Sequence, residues 1–169
     1  MPEIDLDFGA VGKVPTGWFR LTVNKAVYRR NRANTGNVLN LQMQFTDMPA
    51  GTMPGTEVEY EAFEGNPVYD SPSTGPASRW KLSKILSAIT QEPWDQDDMK
   101  LSYTCEEDCE DFREHEKCSH TKVVPALADK TVIAYIISDD FTGSPQPKPD
   151  RYLADDGSVT EFGADAVTE

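Results

Sequence analysis

Apolar side chains occupy every second position in three segments near the start of the chain: residues 19–24 within the stretch 17–28, residues 39–45 and residues 56–62. A period of two is typical of strands with one face buried and the other in water. Residues 31–37, which are rich in Asn, Thr and Gly, separate the first two segments and have turn chemistry. The pattern therefore predicts a long hairpin followed by a third strand.

The period changes to that of a helix after the loop of residues 64–76, which is rich in Gly, Pro and Ser. Four apolar residues then follow the spacing of one helical face: Leu82, Ile85, Leu86 and Ile89. Pro76 suits a first helical turn, and Pro93 ends the pattern. One helix is therefore predicted between these prolines.

Residues 131–137 form a β-branched apolar run, which predicts a buried strand. Pro145, Pro147 and Pro149 predict that regular secondary structure is interrupted after this strand. Residues 151–153 are predicted to form a short last strand.

The predicted order is three strands, a helix and two strands, which indicates a mainly β chain with one helix. A five-stranded oligonucleotide/oligosaccharide-binding (OB) barrel has this order, with its helix between strands 3 and 4, although other small α+β folds share it. We expect an OB-like domain over residues 1–153, interrupted by an acidic Cys/His insertion at 95–124. Residues 154–169 are predicted to be an acidic flexible tail.

The 169 residues suit one domain, and 16 basic against 29 acidic residues give a net charge of -13. A polyanion repels nucleic-acid phosphates, but the charges are unevenly distributed. Residues 9–46 contain six bases and no acid, whereas acids concentrate in residues 92–116 and 150–169. This distribution predicts a basic surface on a body with acidic appendages.

No apolar stretch approaches the ~20 residues of a membrane-spanning helix. The first eight residues carry acids where a signal peptide would carry bases, and three cysteines cannot all pair within one chain. These features predict a protein of the cytoplasm without a membrane partner.

The first predicted strand carries residues suited to single-stranded nucleic acid, which binds to cations and aromatic faces. If Phe19 faces the core, the pleat directs Trp18, Arg20 and Tyr28 to the opposite side. This stripe leads into three further bases: Arg29, Arg30 and Arg32. In the alternative interpretation, Trp18 caps the barrel end and the arginines are a solvated hairpin tip.

The helix carries a second candidate cluster, in which three bases surround Trp80: Arg79, Lys81 and Lys84. Alternatively, Trp80 packs in the core. A row of glutamates, Glu57, Glu59 and Glu61, would repel phosphate if it shared a surface with the arginine stripe.

All three cysteines and both histidines lie in the acidic insertion. Cys105, Cys109, Cys118 and His120 form a four-ligand set that predicts a structural zinc ion, since four protein ligands would close the site to catalysis. The alternatives are free thiols in a mobile loop, or a redox disulfide between Cys105 and Cys109.

Nothing in the sequence indicates an enzyme: there is no phosphate-binding glycine loop, nucleophile elbow or helix-borne histidine pair. Two alternatives to nucleic-acid binding remain. Residues 92–116 suit an acidic protein-interaction module or DNA mimic that engages a host protein. Asp139 and Asp140 at a strand end suit the magnesium site of a small nuclease.

Five segments resemble phage-encoded single-stranded DNA-binding proteins: IDLDF (4–8), VPTGWF (14–19), LNLQMQF (39–45), RWKLSKIL (79–86) and the strand at 130–137. The resemblance implies an OB-type fold. It also implies non-sequence-specific coating of single-stranded DNA during phage replication or recombination in the cytoplasm of a bacterial host. The chain departs from the family pattern in the cysteine-containing insertion.

Single-strand binders of several phages and bacteria end in acidic, mobile tails. By this resemblance, residues 154–169 compete with DNA for the basic groove and recruit replication or recombination proteins. Alternatively, the tail only aids solubility. A monomer and a homodimer are both compatible with the sequence.

Overall fold

The computed structural model describes residues 14–30, 36–95, 99–105, 122–139 and 145–163, which are mainly β with one α-helix. The strands are β1 (Gly17–Arg30), β2 (Asn37–Phe45), β3 (Pro67–Asp70), β4 (Thr104–Cys105), β5 (Lys122–Val123), β6 (Thr131–Asp139) and β7 (Gln146–Ala154). The helix is α1 (Arg79–Thr90). Short 3-10 helices cover Tyr60–Phe63, Pro76–Ser78 and Pro125–Leu127.

The strands form one antiparallel sheet arranged around β1. β2 pairs along one edge of β1, while β6 pairs with the first half of the other edge and β5 with the second half. β3 extends the sheet beyond β2, β7 extends it beyond β6, and β4 pairs with β5. Within the described residues, β3 and β7 approach each other without a shared strand ladder, so strand pairing does not close the sheet.

The predicted hairpin, helix and apolar strand are confirmed as β1–β2, α1 and β6. The helix follows a 3-10 turn that begins at Pro76, and Gln91 ends it with φ 58°, in the left-handed region. Its apolar face packs toward β6 and β7. In the part of the chain that is described, no helix is long and apolar enough to cross a membrane.

The third strand predicted at residues 56–62 is wrong. That segment contains one isolated bridge, Thr52 with Glu59, and the 3-10 helix Tyr60–Phe63. Its apolar side chains reach the core from a loop, since Tyr60 is buried without pairing with β2. Residues 67–70, predicted to be loop, pair with β2 instead and form β3.

The predicted interruption at the prolines is also wrong, because β7 runs through Pro147 and Pro149 and is longer than expected. Proline lacks the N–H that a ladder needs, so it is tolerated where the nitrogen faces away from the partner strand. The two prolines are two residues apart and therefore turn their nitrogens to the same edge, away from β6. The edge of β7 that faces away from β6 therefore lacks the N–H donors that a further strand would need at these two positions.

A β-bulge in β1 reverses which side chains face the core. Val23 pairs with Met43, but Lys25 pairs with Gln42, so Asn24 is an extra residue. Before the bulge, the odd-numbered residues from Phe19 to Val23 are buried; after it, Ala26 lies in the same core.

The seam between β3 and β7 is joined by a hydrogen bond. The Tyr152 hydroxyl donates to Asp70 Oδ2 at 2.6 Å. Burial raises the pKa of Asp70 above its usual range, although this hydrogen bond and the charges of Lys81 and Lys148 oppose that shift. Burial and the nearby Asp70 carboxyl raise the pKa of Tyr152, so its hydroxyl keeps its proton at neutral pH.

We predict that Tyr152→Phe lowers the free energy of unfolding by about 1–3 kcal/mol, because Oδ2 of the Asp70 carboxyl loses the hydroxyl that donates to it. Urea denaturation at pH 7 measures the change. Tyr69→Phe, which removes the same hydroxyl from an exposed ring on β3, is the matched control and should alter stability by less than about 0.5 kcal/mol. Equal effects of the two substitutions would contradict a stabilising seam.

Candidate nucleic-acid interface

The C-terminal strap, defined as residues 155–163, covers the outward face of the sheet around Trp18. The Gly163 amide donates to the Trp18 carbonyl at 3.0 Å, and Val159 packs against Trp18 and Ile133. Gly163 has φ 105°, and a Cβ there would lie 3.1 Å from the Tyr60 hydroxyl, so both conformation and space favour glycine. Trp18 is consequently only 5% exposed.

Arg20 is held by the same strap. Its Nε donates to Asp155 Oδ2 at 2.9 Å, and its guanidinium lies 5.2 Å from the centre of the Phe162 ring. Arg20 Nη1 also lies 3.8 Å from Asp47 Oδ2. The Arg20 guanidinium, which would contact a phosphate or a base, is therefore already in contact with one carboxylate and one aromatic ring of the strap.

Further contacts fix Asp155 in place. Its carboxylate accepts a hydrogen bond from the Thr131 hydroxyl at 2.8 Å, and its carbonyl accepts one from the Gln91 amide at 3.0 Å. With the Arg20 pair, these contacts connect the strap to β1, β6 and the end of α1.

Arg151 lies beside this covered face and is itself exposed to solvent. Its guanidinium lies 5.6 Å from the Trp18 ring centre and 5.0 Å from that of Tyr135, and the two rings meet edge to face. The sequence did not indicate Arg151 as a site residue. Arg151 of β7 lies opposite Tyr135 of β6 in a ladder whose register shifts beside this pair, and no sequence pattern predicts that shift.

The predicted solvent-facing stripe of Trp18, Arg20 and Tyr28 is wrong on two counts. The strap covers Trp18 and Arg20, and the bulge at Asn24 places Tyr28 on the opposite face. Tyr28 pairs with Leu39, a core residue, and directly paired residues point to the same side of a sheet.

The arginines beyond this stripe are only partly covered by the structure. Arg29 is exposed on the outward face, as predicted. The Arg30 side chain and all of Arg32 lie outside the described residues.

The helix cluster is exposed at the start of α1, where Arg79, Trp80, Lys81 and Lys84 all face solvent. Trp80 is 54% exposed, so the interpretation of Trp80 as a core residue is wrong. Successive helical residues turn by about 100°, which places Trp80 about 200° from the buried Leu82. The Lys84 ammonium lies 5.2 Å from the Trp80 ring centre, and the first turn of the helix contains no acid.

The glutamate row does not belong to the sheet. Glu57, Glu59 and Glu61 are exposed in the segment around the first 3-10 helix, whereas Arg20 pairs with other carboxylates.

The predicted metal ligands are mostly outside the described residues, namely Cys109, Cys118 and His120. Cys105 lies at the end of β4, where it pairs with Lys122 of β5. Residues 106–121 therefore connect two residues, Cys105 and Lys122, that are directly paired between β4 and β5. No group of three metal-ligating side chains occurs within the described ranges, and the structural zinc stays a prediction.

The suggested magnesium pair is likewise incomplete. Asp139 ends β6, and Asp140 lies outside the described residues.

Comparison of the chain with protein-family models finds no matching family, and comparison with curated proteins finds no match.

We predict that protein purified without chelator contains about one zinc ion per chain, because the four-ligand set suits tetrahedral coordination. Metal analysis by mass spectrometry measures this content. Cys118→Ser should reduce it strongly, and His115→Ala, which removes the histidine outside the set, should not. Well under one equivalent in the unsubstituted protein would contradict the prediction.

Proposed function

We propose that this protein binds single-stranded DNA without sequence specificity and coats it during phage replication or recombination in the cytoplasm of a bacterial host. The observation that carries the proposal is the helix cluster, in which the exposed Trp80 ring lies among three exposed cations. An aromatic face and nearby cations are what sequence-tolerant recognition of single strands needs.

We further propose that the strands form an OB-type barrel. The order β3-β2-β1-β6-β7 and the position of α1 between β3 and β6 support this arrangement. At the β3–β7 seam, the Tyr152–Asp70 hydrogen bond would join the ends of the sheet in place of a strand ladder.

Charge segregation makes the proposal compatible with a net charge of -13. The first turn of α1 has no acid, and the end of β1 presents the exposed Arg29. At an ionic strength of 0.15 M, charges more than about 8 Å away are largely screened. Local cations therefore determine phosphate binding more than the distant acidic segments do.

We predict that Trp80→Ala weakens binding to fluorescein-labelled oligo-dT by about 1–3 kcal/mol, the usual contribution of one base–aromatic stack. Fluorescence anisotropy over a series of salt concentrations measures the affinity. If four to six phosphates are neutralised, the log–log salt slope is about -3 to -4 for the unsubstituted protein.

Lys81→Ala should make that slope shallower by about 0.7, whereas Lys130→Ala, which removes an exposed lysine before β6, is the matched control for charge. Unsubstituted protein that does not bind oligo-dT at low salt would contradict the proposal. It would favour the acidic protein-interaction module, and magnesium-dependent cleavage of the strand would favour a nuclease.

In this proposal the C-terminal strap competes with DNA for the Trp18–Arg20 face. Asp155 accepts a hydrogen bond from Arg20 as a phosphate would, and Phe162 packs on the Arg20 guanidinium as a base would. The residues that follow could recruit replication or recombination proteins when the strap is displaced.

We predict that the double variant Asp155→Asn, Phe162→Ala binds oligo-dT more tightly at low salt, because it weakens the contacts that hold the strap over Arg20. The same anisotropy titration measures the change, and circular dichroism checks that the fold is kept. Glu161→Gln, which removes one exposed charge from the strap, controls for net charge. Unchanged or weaker binding by the double variant would count against competition.

A further inference from the structure

We propose that the outward face of β1, β2 and β3 holds a nucleobase-stacking platform centred on Tyr69, a site separate from both the helix cluster and the strap. This inference rests on the proposed function and names the part of the sheet on which bases of the single strand would lie.

The platform is one row of residues across three neighbouring strands. Lys25 of β1 pairs with Gln42 of β2, which in turn pairs with Tyr69 of β3. Directly paired residues point to the same side, and adjacent strands are about 4.8 Å apart. The row therefore places a cation, an amide and an aromatic ring in sequence over about 10 Å.

The row faces away from the core. Leu41 and Met43, on either side of Gln42, are buried in the core, as is Val68 beside Tyr69. Tyr69 is 59% exposed, and with Trp80 it is one of two large hydrophobic side chains that the described residues leave exposed. An exposed ring in a four-residue strand offers a flat apolar surface to a ligand.

Amide groups beside the ring are held in position by hydrogen bonds. Gln42 Nε2 donates to Asn40 Oδ1 at 3.1 Å, and Asn40 Nδ2 donates to the Ser71 hydroxyl at 2.7 Å. The Gln42–Asn40 bond uses one of the two donors of the Gln42 amide. Asn40 is buried, so it is the remaining donor of the ordered Gln42 amide that can hydrogen-bond to the edge of a base while the Tyr69 ring stacks on its face.

The electrostatic surroundings suit an anionic strand. Asp70, the neighbour of Tyr69, turns its carboxyl inward to Tyr152, away from the platform. Arg29 is exposed and lies on the same face as Lys25, because both are outward residues beyond the bulge. We expect these cations to attract the phosphates of a strand whose base stacks on Tyr69.

Tyr69 stays exposed beside the docked strap, although Val27, Asn40 and Val38 on the same face are buried. The contacts of the strap are with the first half of β1, with β6, with the end of α1 and with the segment around Tyr60, and none of these is Tyr69 or Gln42. A strand could therefore occupy the Tyr69 platform while the strap remains docked, and removal of the strap is not required for the first contact.

The test uses the full chain and an oligo-dT labelled with fluorescein. Tyr69→Ala should weaken binding about 5- to 150-fold, the range that corresponds to one lost base–aromatic stack. Tyr69→Phe, which keeps the ring, should bind within about twofold of the unsubstituted protein. This rescue separates stacking from a merely structural effect.

A second readout locates the contact directly. Oligo-dT containing 5-iododeoxyuridine is irradiated in complex with the protein, and mass spectrometry identifies the cross-linked peptide. We expect cross-links at Tyr69, and we expect Tyr69→Ala to lose them.

The outcomes separate the two proposals. If the unsubstituted protein binds oligo-dT, but Tyr69→Ala binds equally well and cross-links fall elsewhere, the platform is wrong and the proposed function stands. If the unsubstituted protein does not bind, both are overturned. Equal losses in Tyr69→Ala and Tyr69→Phe would also overturn stacking.

Discussion

The β-bulge at Asn24 determines how the rest of the molecule is arranged around β1. Because of this extra residue, one 14-residue strand presents Phe19 and Val23 to the core in its first half and Ala26 in its second half. The outward side consequently carries Trp18 and Arg20 at one end. A strand of unbroken phase would instead turn Ala26 and Tyr28 outward, and Lys25 would leave the row that it forms with Gln42 and Tyr69.

The two ends of that outward side have different chemistry. Around Trp18, the aromatic and apolar surface is too large to be left in water without cost, and the strap covers it. The Arg20–Asp155 pair is largely shielded from solvent, with 25% and 16% of the two side chains exposed. Dissolved salt therefore screens the attraction between the two charges less than it would screen a surface ion pair. Around Tyr69, one exposed ring lies beside the Gln42 amide, whereas Val27 and Val38 on the same outward face are buried. The proposed competition by the strap and the proposed stacking on Tyr69 involve different parts of the sheet and are therefore compatible in one protein.

The ends of the sheet meet at β3 and β7 under a related constraint. Pro147 and Pro149 remove donors from the outer edge of β7, which protects that edge against pairing with another chain. A side-chain hydrogen bond, Tyr152 to Asp70, connects the two strands instead. The same bond turns the Asp70 carboxyl away from the exposed Tyr69 ring. The carboxyl still lies close enough to Lys81 of α1 for that charge to oppose the rise in the pKa of Asp70.

Periodicity by itself determined the hairpin, the helix and the buried strand, because each element is long enough for its period to be read locally. Charge distribution likewise indicated the exposed cations of α1. Three features required the tertiary structure: the bulge that turns Tyr28 inward, the pairing of Pro67–Asp70 with β2, and the docking of residues 155–163 on Trp18. Their physical reason is shared: each depends on a partner distant in sequence, and a local pattern of apolar and polar residues does not specify that partner.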